Sequence, residues 1–117
     1  MANTDSILGS IKSMLSLTEE AESFDPELIL HINSVFPELH QLGIDGAKNF
    51  EIEDESSKWT DVLGDRRQAW VKSFVFYKVK LAFDPPQTAN AVAAIQEELA
   101  HLTWRINLQA ETEALNE

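Results

Sequence analysis

The chain contains no cysteine. Disulfides and thiolate metal sites are therefore excluded, and the absence fits a reducing compartment. Positive charge is scarce. Nine Lys and Arg stand against twenty Asp and Glu, a net charge of −11. Such a surface repels phosphate and anionic lipid, so conventional nucleic-acid or membrane binding is not expected. No apolar run approaches the ~20 residues of a membrane span. The opening Met1-Ala2-Asn3-Thr4-Asp5 has no basic stretch ahead of an apolar one, so no signal peptide is read. Glycine is sparse, and Gly9, Gly43, Gly46 and Gly64 are too scattered to form a phosphate-cradling loop.

What is present suits one compact domain over residues 1–117. Hydrophobic residues make up 44% of the 117 positions, enough for a single core. The acid is unevenly placed. Residues 1–58 carry Lys12, Lys48 and Lys58 against twelve acids, for −9, whereas residues 59–117 carry six basic residues against eight acids, for −2. The first half therefore marks an acidic surface.

Apolar spacing predicts an all-α bundle of four to five helices. The first covers about 5–17, with Thr4 or Asp5 as cap and Ile7, Leu8, Ile11, Met14 and Leu15 on one face. The acidic link Thr18–Ser23 follows. Asp25 as N-cap and Pro26 at the first helical position open a second helix. Its stripe is Leu28, Ile32, Val35, Leu39 and Leu42, and Gly43 ends it. Pro37 cannot donate to the Asn33 carbonyl, so a kink or a split is expected there. Residues 43–58 lack periodicity and read as a long acidic loop, with one short strand possible where Phe50 and Ile52 alternate with acids. Trp59–Leu63 suits a helical turn before Gly64.

A third helix is expected from Arg66 to Phe83, capped by Asp65. It is apolar nearly all round, which places it centrally, with Arg66, Arg67, Lys72, Lys78 and Lys80 scattered around the axis and snorkelling outward. Phe74–Lys80 alone has strand-like alternation, but length and the cap favour a helix. Asp84-Pro85-Pro86 stops it. The fourth helix runs from about Thr88 to Leu108, and Val92, Ile95, Leu99, Leu102 and Ile106 form a seam for antiparallel packing. Residues 109–117 are polar and acidic and are expected to be a flexible tail.

Catalytic chemistry finds little support. His31 and His40 are nine positions apart, on opposite sides of a helix, and His101 stands alone, so no metal site is expected. The run Glu51–Glu55 lacks the alternating ligands, central glycine and closing glutamate of a calcium loop. Adjacent Glu97 and Glu98 diverge by about 100° on a helix and make no carboxylate pair. No serine sits in a nucleophile elbow. No cofactor is implied, and an enzyme is not expected. Of the three tryptophans, Trp70 reads as core. Trp59 reads as a core lid or an interface anchor. Trp104 faces away from the fourth-helix seam, where it can stack on a neighbour or anchor a partner.

Several strings occur in a characteristic order. They are His31-Ile32-Asn33-Ser34-Val35-Phe36, Gln41-Leu42-Gly43-Ile44, Trp59-Thr60-Asp61-Val62-Leu63, Val71-Lys72-Ser73-Phe74-Val75-Phe76, Lys78 to Pro86 with its Phe-Asp-Pro-Pro stop, and Trp104-Arg105-Ile106-Asn107. Over residues 5–109 the set resembles the head–tail connector, or adaptor, proteins of long-tailed phages. The resemblance implies a small helical subunit of the virion neck, assembled in the host cytoplasm. It implies a dodecameric ring beneath the portal protein that extends the DNA channel and receives the next neck or tail component. In relatives the long loop lies toward the lumen or the distal face, which corresponds here to Phe50, Glu51, Ile52, Glu53, Asp54 and Glu55. The C-terminal segment of relatives docks on the portal, which corresponds to Trp104, Arg105, Asn107 and Leu108. Pro37 departs from the helix former that relatives tend to carry. An acidic loop is compatible with a channel through which DNA slides without specific binding, although the same acids also keep a monomer soluble. The competing reading is a small acidic regulatory module that mimics DNA and masks a basic partner protein.

Overall fold

The computed structural model describes residues 6–17, 22–64 and 69–115. Among these lie five helices: α1 (Ile7–Met14), α2 (Asp25–Gln41), α3 (Trp59–Leu63), α4 (Ala69–Phe83) and α5 (Ala89–Leu115). Short 3-10 turns occupy Glu22–Phe24 and Asp45–Ala47. The described residues contain no strand, only an isolated antiparallel bridge between Ser6 and Lys58.

α4 is the central element and packs against both α2 and α5. It turns Val71, Phe74, Val75 and Val79 fully inward. α2 meets it with Leu28, Ile32, Val35, Phe36 and Leu39, and α5 meets it with Leu99, Leu102 and Ile106. The expected antiparallel hairpin of the last two helices is thus present. Val92 and Ile95, at the outer end of the seam, are only half-buried. The expectation that Trp70 is core is corrected. It is the second residue of α4, 37% exposed, and its ring supports the Arg105 side chain at 5.4 Å.

Several ends differ from the periodic reading. α1 is capped by Ser6, whose Oγ accepts from Gly9 N at 3.1 Å. Thr4 and Asp5, the expected caps, lie outside the described residues, as do Asp65 and Arg66. α1 ends when Ser16 adopts φ 64°, with Leu17 N donating to Lys12 O at 2.9 Å and Ser16 N to Ser13 O at 3.0 Å. This is a Schellman closure with serine where glycine is usual. Asp25 does not cap α2. It is the first helical residue, and its carboxylate is drawn to the buried Lys12 ammonium at 2.9 Å. A charge removed from water needs a counter-charge more than a helix end needs a cap.

α2 is not divided at Pro37. The buried side chains Phe36 and Leu39 on either side hold it against the bundle, and only the Asn33 carbonyl loses its helical donor. α2 closes at Gly43, φ 104°, through a second Schellman pair: Ile44 N to Leu39 O and Gly43 N to His40 O, both 3.0 Å. α5 runs past Leu108 to Leu115, so residues 109–115, expected to be tail, are helical. Two contacts with the end of α2 favour the extension. Asn107 Nδ2 donates to Leu42 O at 3.4 Å, and Ala110 rests on Gly43 so closely that a Cβ there would lie 2.5 Å from the Ala110 Cβ.

Candidate functional site

The acidic segment between α2 and α3 is extended and tied down at several points. Ile52 is buried, whereas Glu51, Glu53, Asp54 and Glu55 are exposed. The alternation that suggested a strand is therefore real, but its partner is a side chain. The Asn33 amide on α2 accepts from Ile52 N at 2.7 Å and donates to Ile52 O at 3.0 Å. One asparagine thus supplies both halves of a ladder pair. Phe50 meets Phe36 edge-on at 5.0 Å. Farther along, Ser6 Oγ donates to Glu55 O at 2.7 Å and Ile7 N to Ser57 O at 3.0 Å. Asp54 closes a tight turn by accepting from the Ser56 hydroxyl and from Ser56 N. These two bonds hold its carboxyl below the ordinary carboxylate value, so it is charged at neutral pH. The backbone is anchored while four carboxylates project.

Two cavities flank this segment. One, of about 430 Å³, lies between the Glu53–Glu55 side and the start of α2, with Leu8, Pro26 and Ile29 on its apolar wall. The other, of about 360 Å³, lies on the Glu51 side and is lined by Pro37, His40, Lys48 and Phe50.

The second exposed feature is the outward face of α5. Trp104 is 60% exposed, Leu108 45% and Leu115 86%. Spacings of four and seven place them on one stripe, opposite the seam that packs on α4. His101 shares the stripe and stacks with Trp104 at 6.4 Å and 23°. Arg105 Nε donates to His101 Nε2 at 3.1 Å while its guanidinium covers Trp70. Of the residues singled out for docking, Trp104 and Leu108 face solvent. Arg105 is half-buried on the Trp70 ring, and Asn107 turns inward to Leu42.

Trp59 is not an interface anchor in this fold. It is 2% exposed, its Nε1 donates to Ser10 Oγ at 2.8 Å, and Lys72 lies 5.9 Å over its ring. It ties α3 to α1 inside the core. Among the described residues no group of three or more His, Asp or Glu side chains is placed to hold a metal ion. His31 lies 3.7 Å from Glu27, and no described helix is long and apolar enough to cross a membrane.

Gly43 is legible in the sequence as the stop of α2, but Asn33 is not legible there as an organising residue. Asparagine in the middle of an apolar-striped helix is a poor helix former, and that misfit was the available signal. Nothing local in the sequence pointed to Ala110 as the neighbour of Gly43.

No curated protein and no solved structure matches the chain. A family model described as phage connector protein matches residues 7–113, a range that takes in α1 to α4 and all but the last two residues of α5. The chain belongs to the phage connector protein family, whose members are structural parts of the virion.

Proposed function

We propose that this protein is a head–tail connector subunit that assembles, as a dodecamer, into a ring beneath the portal protein. The ring extends the DNA channel of the virion neck, joins the capsid to the next neck or tail component, and forms in the host cytoplasm. It catalyses nothing and uses no cofactor. The segment 50–55 lies toward the lumen or the distal side, presenting Glu51, Glu53, Asp54 and Glu55 while Phe50 and Ile52 pack inward, and the end of α5 docks on the portal. The observation that carries this reading is the exposed stripe of Trp104, Leu108 and Leu115 on a chain of the connector family. A tryptophan and two leucines left in water at the end of a long helix suit an interface completed by another protein. The exposed carboxylates of Glu51, Glu53, Asp54 and Glu55 suit a wall past which DNA slides, because they offer phosphate no binding partner.

Mixing the protein with its portal and imaging the complex tests the assignment. Trp104→Ser with Leu108→Ser should abolish docking while leaving the helical signal and melting temperature nearly unchanged. Unaltered docking by this variant would remove α5 from the interface. Removing everything after residue 103 is a harsher form of the test, because it also deletes the buried Ile106.

The exposed acids also favour a second reading, a DNA-mimicking module that masks a basic protein. A complex with a repressor or nuclease that DNA competes away would establish it in place of the connector role.

A further inference from the structure

Most fixed cations of this chain are met by an acid. Lys12 faces Asp25, Lys78 faces Glu38 and Lys80 faces Asp84, each at 2.9–3.0 Å. Arg105 is fixed too, yet it meets no carboxylate among the described residues. Its own helix supplies none at ion-pair spacing, because His101, Leu102, Leu108 and Gln109 occupy the positions three and four residues away. No Asp or Glu stands between Glu98 and Glu111. Lys48 and Lys58 differ. Both are exposed, and each has an acid three residues away on either side to balance its charge.

Arg105 is held from two directions. The Trp70 ring supports its guanidinium at 5.4 Å, and Nε donates to His101 Nε2 at 3.1 Å. Arginine has five N–H donors, and this bond uses one. The four on Nη1 and Nη2 have no acceptor among the described residues. His101 in turn stacks with Trp104, so the half-buried guanidinium borders the exposed Trp104–Leu108 stripe.

We propose that Arg105 takes a carboxylate of the portal protein: the segment that docks on the end of α5 carries an Asp or Glu beside the apolar side chains that cover Trp104 and Leu108. This rests on the connector reading and specifies the chemistry of the surface that α5 meets. Charge complementarity selects the occupant. With Nε spent, the outer edge of the guanidinium presents two parallel N–H groups that match the two oxygens of a carboxylate. Phosphate has a similar shape, but DNA must approach a chain of charge −11, and a second copy brings another −11. The donors are already oriented by Trp70 and His101, so little side-chain freedom is lost when the acid arrives.

Portal binding is measured for wild type, Arg105→Gln, Arg105→Lys and the Trp104→Ser, Leu108→Ser double variant, with circular dichroism as the check of folding. Arg105→Gln should weaken binding about thirtyfold, because the portal acid is then left buried and unpaired. Arg105→Lys keeps the charge but loses the fork, so it should retain part of the affinity. The Arg105→Lys complex is then treated with a carbodiimide, which joins an amine to a touching carboxylate as an amide and takes up the water released. The expected product links position 105 to a portal Asp or Glu. Replacing that portal residue with Arg should rescue an Arg105→Glu chain, which a role confined to covering Trp70 would not permit. Three results overturn the inference: Arg105→Gln binding as tightly as wild type, position 105 linking only to another copy or to no portal acid, or Arg105→Gln abolishing retention of a DNA duplex while portal binding is unchanged. Each leaves the connector reading standing if the Trp104→Ser, Leu108→Ser variant still fails to dock. A wild-type chain that does not bind portal overturns both.

Discussion

Replacing Asn33 with alanine should detach the acidic segment from the bundle, at a cost set by the hydrogen bonds that the amide makes. There are two, both to Ile52, at 2.7 and 3.0 Å, on a residue only 2% exposed. Each contributes ~1 kcal/mol net, and a backbone group left buried without a partner costs ~1–3 kcal/mol. With two groups orphaned the loss is roughly 2–6 kcal/mol before offsets. Alanine is the better helix former by up to ~0.7 kcal/mol, which subtracts from the cost. The segment can also lift and hydrate its backbone, so the loss is capped by the free energy of local opening. A net destabilisation of about 2–3 kcal/mol results, a large share of the roughly 5–15 kcal/mol typical of a domain. Urea unfolding followed by circular dichroism measures it, and amide hydrogen exchange at Ile52 should quicken by at least about tenfold. An Asn33→Ala protein with unchanged midpoint and unchanged exchange at Ile52 would refute the idea that this amide holds the segment. Asn33→Asp keeps an acceptor for Ile52 N but turns a carboxylate toward Ile52 O, so it should be no better than alanine.

Gly43→Ala should cost at least ~2 kcal/mol, because φ 104° is poorly tolerated by a side chain and the added Cβ meets Ala110 at 2.5 Å. Gly43→Ala with Ala110→Gly should recover only the steric part, a split that thermal denaturation resolves. Ser16→Gly should stabilise by ~0.5–1 kcal/mol, since glycine meets no Cβ penalty at φ 64°. Asp25→Ala should destabilise by ~1–3 kcal/mol by taking the carboxylate from buried Lys12. Asp25 itself keeps 25% of its side-chain surface in water, which holds the loss below that of a fully enclosed pair. The Asp54 carboxyl lies below its ordinary value through its Ser56 bonds. Its contribution to the turn is therefore complete above the unfolded carboxylate value and fades as pH falls through the folded one. The Ser56 amide resonance should titrate in that acid range, and Asp54→Asn should abolish the titration.

Long-range order in the apolar pattern made most of the fold legible. Leu28 to Leu39 and Leu99 to Ile106 recur at helical spacing because each helix buries one face, and the structure buries those residues. Residues decided by tertiary neighbours were opaque. Asp25 has every local credential of an N-cap, yet Lys12 claims its carboxylate, and nothing near position 25 announces that partner. Trp70 sits among aromatics in sequence but at the open end of α4 in space. The polar stretch after Leu108 reads as tail until Gly43 gives Ala110 a place to rest. Of the candidate site, the acidity of residues 51–55 was plain, but their anchoring through Asn33 was not. A side chain that substitutes for a strand leaves no period of two in the helix that carries it.

The charge proposed to keep DNA from sticking would also work against assembling a ring. In the proposed ring, copies with extents of 43 × 35 × 24 Å would have centres roughly 30 Å apart. Treated as point charges of −11 in water, two such neighbours repel by ~17 kcal/mol before screening. With a Debye length of ~30 Å at 0.01 M salt, on the order of 6 kcal/mol remains, and at ~8 Å in 0.15 M salt less than ~1 kcal/mol remains. Any ion pair closed to ~4 Å across an interface is inside either screening length and keeps most of its attraction. Salt therefore removes the opposing term faster than the favourable one. Without a portal to gather the copies, assembly should be weak at low salt and strengthen as salt is raised, before very high salt erodes the close pairs. Sedimentation velocity across roughly 0.01–0.3 M NaCl reads this directly. A tight ring at the lowest salt would show that burial across the interface outweighs several kcal/mol of repulsion per contact, and that charge is not what holds these subunits apart.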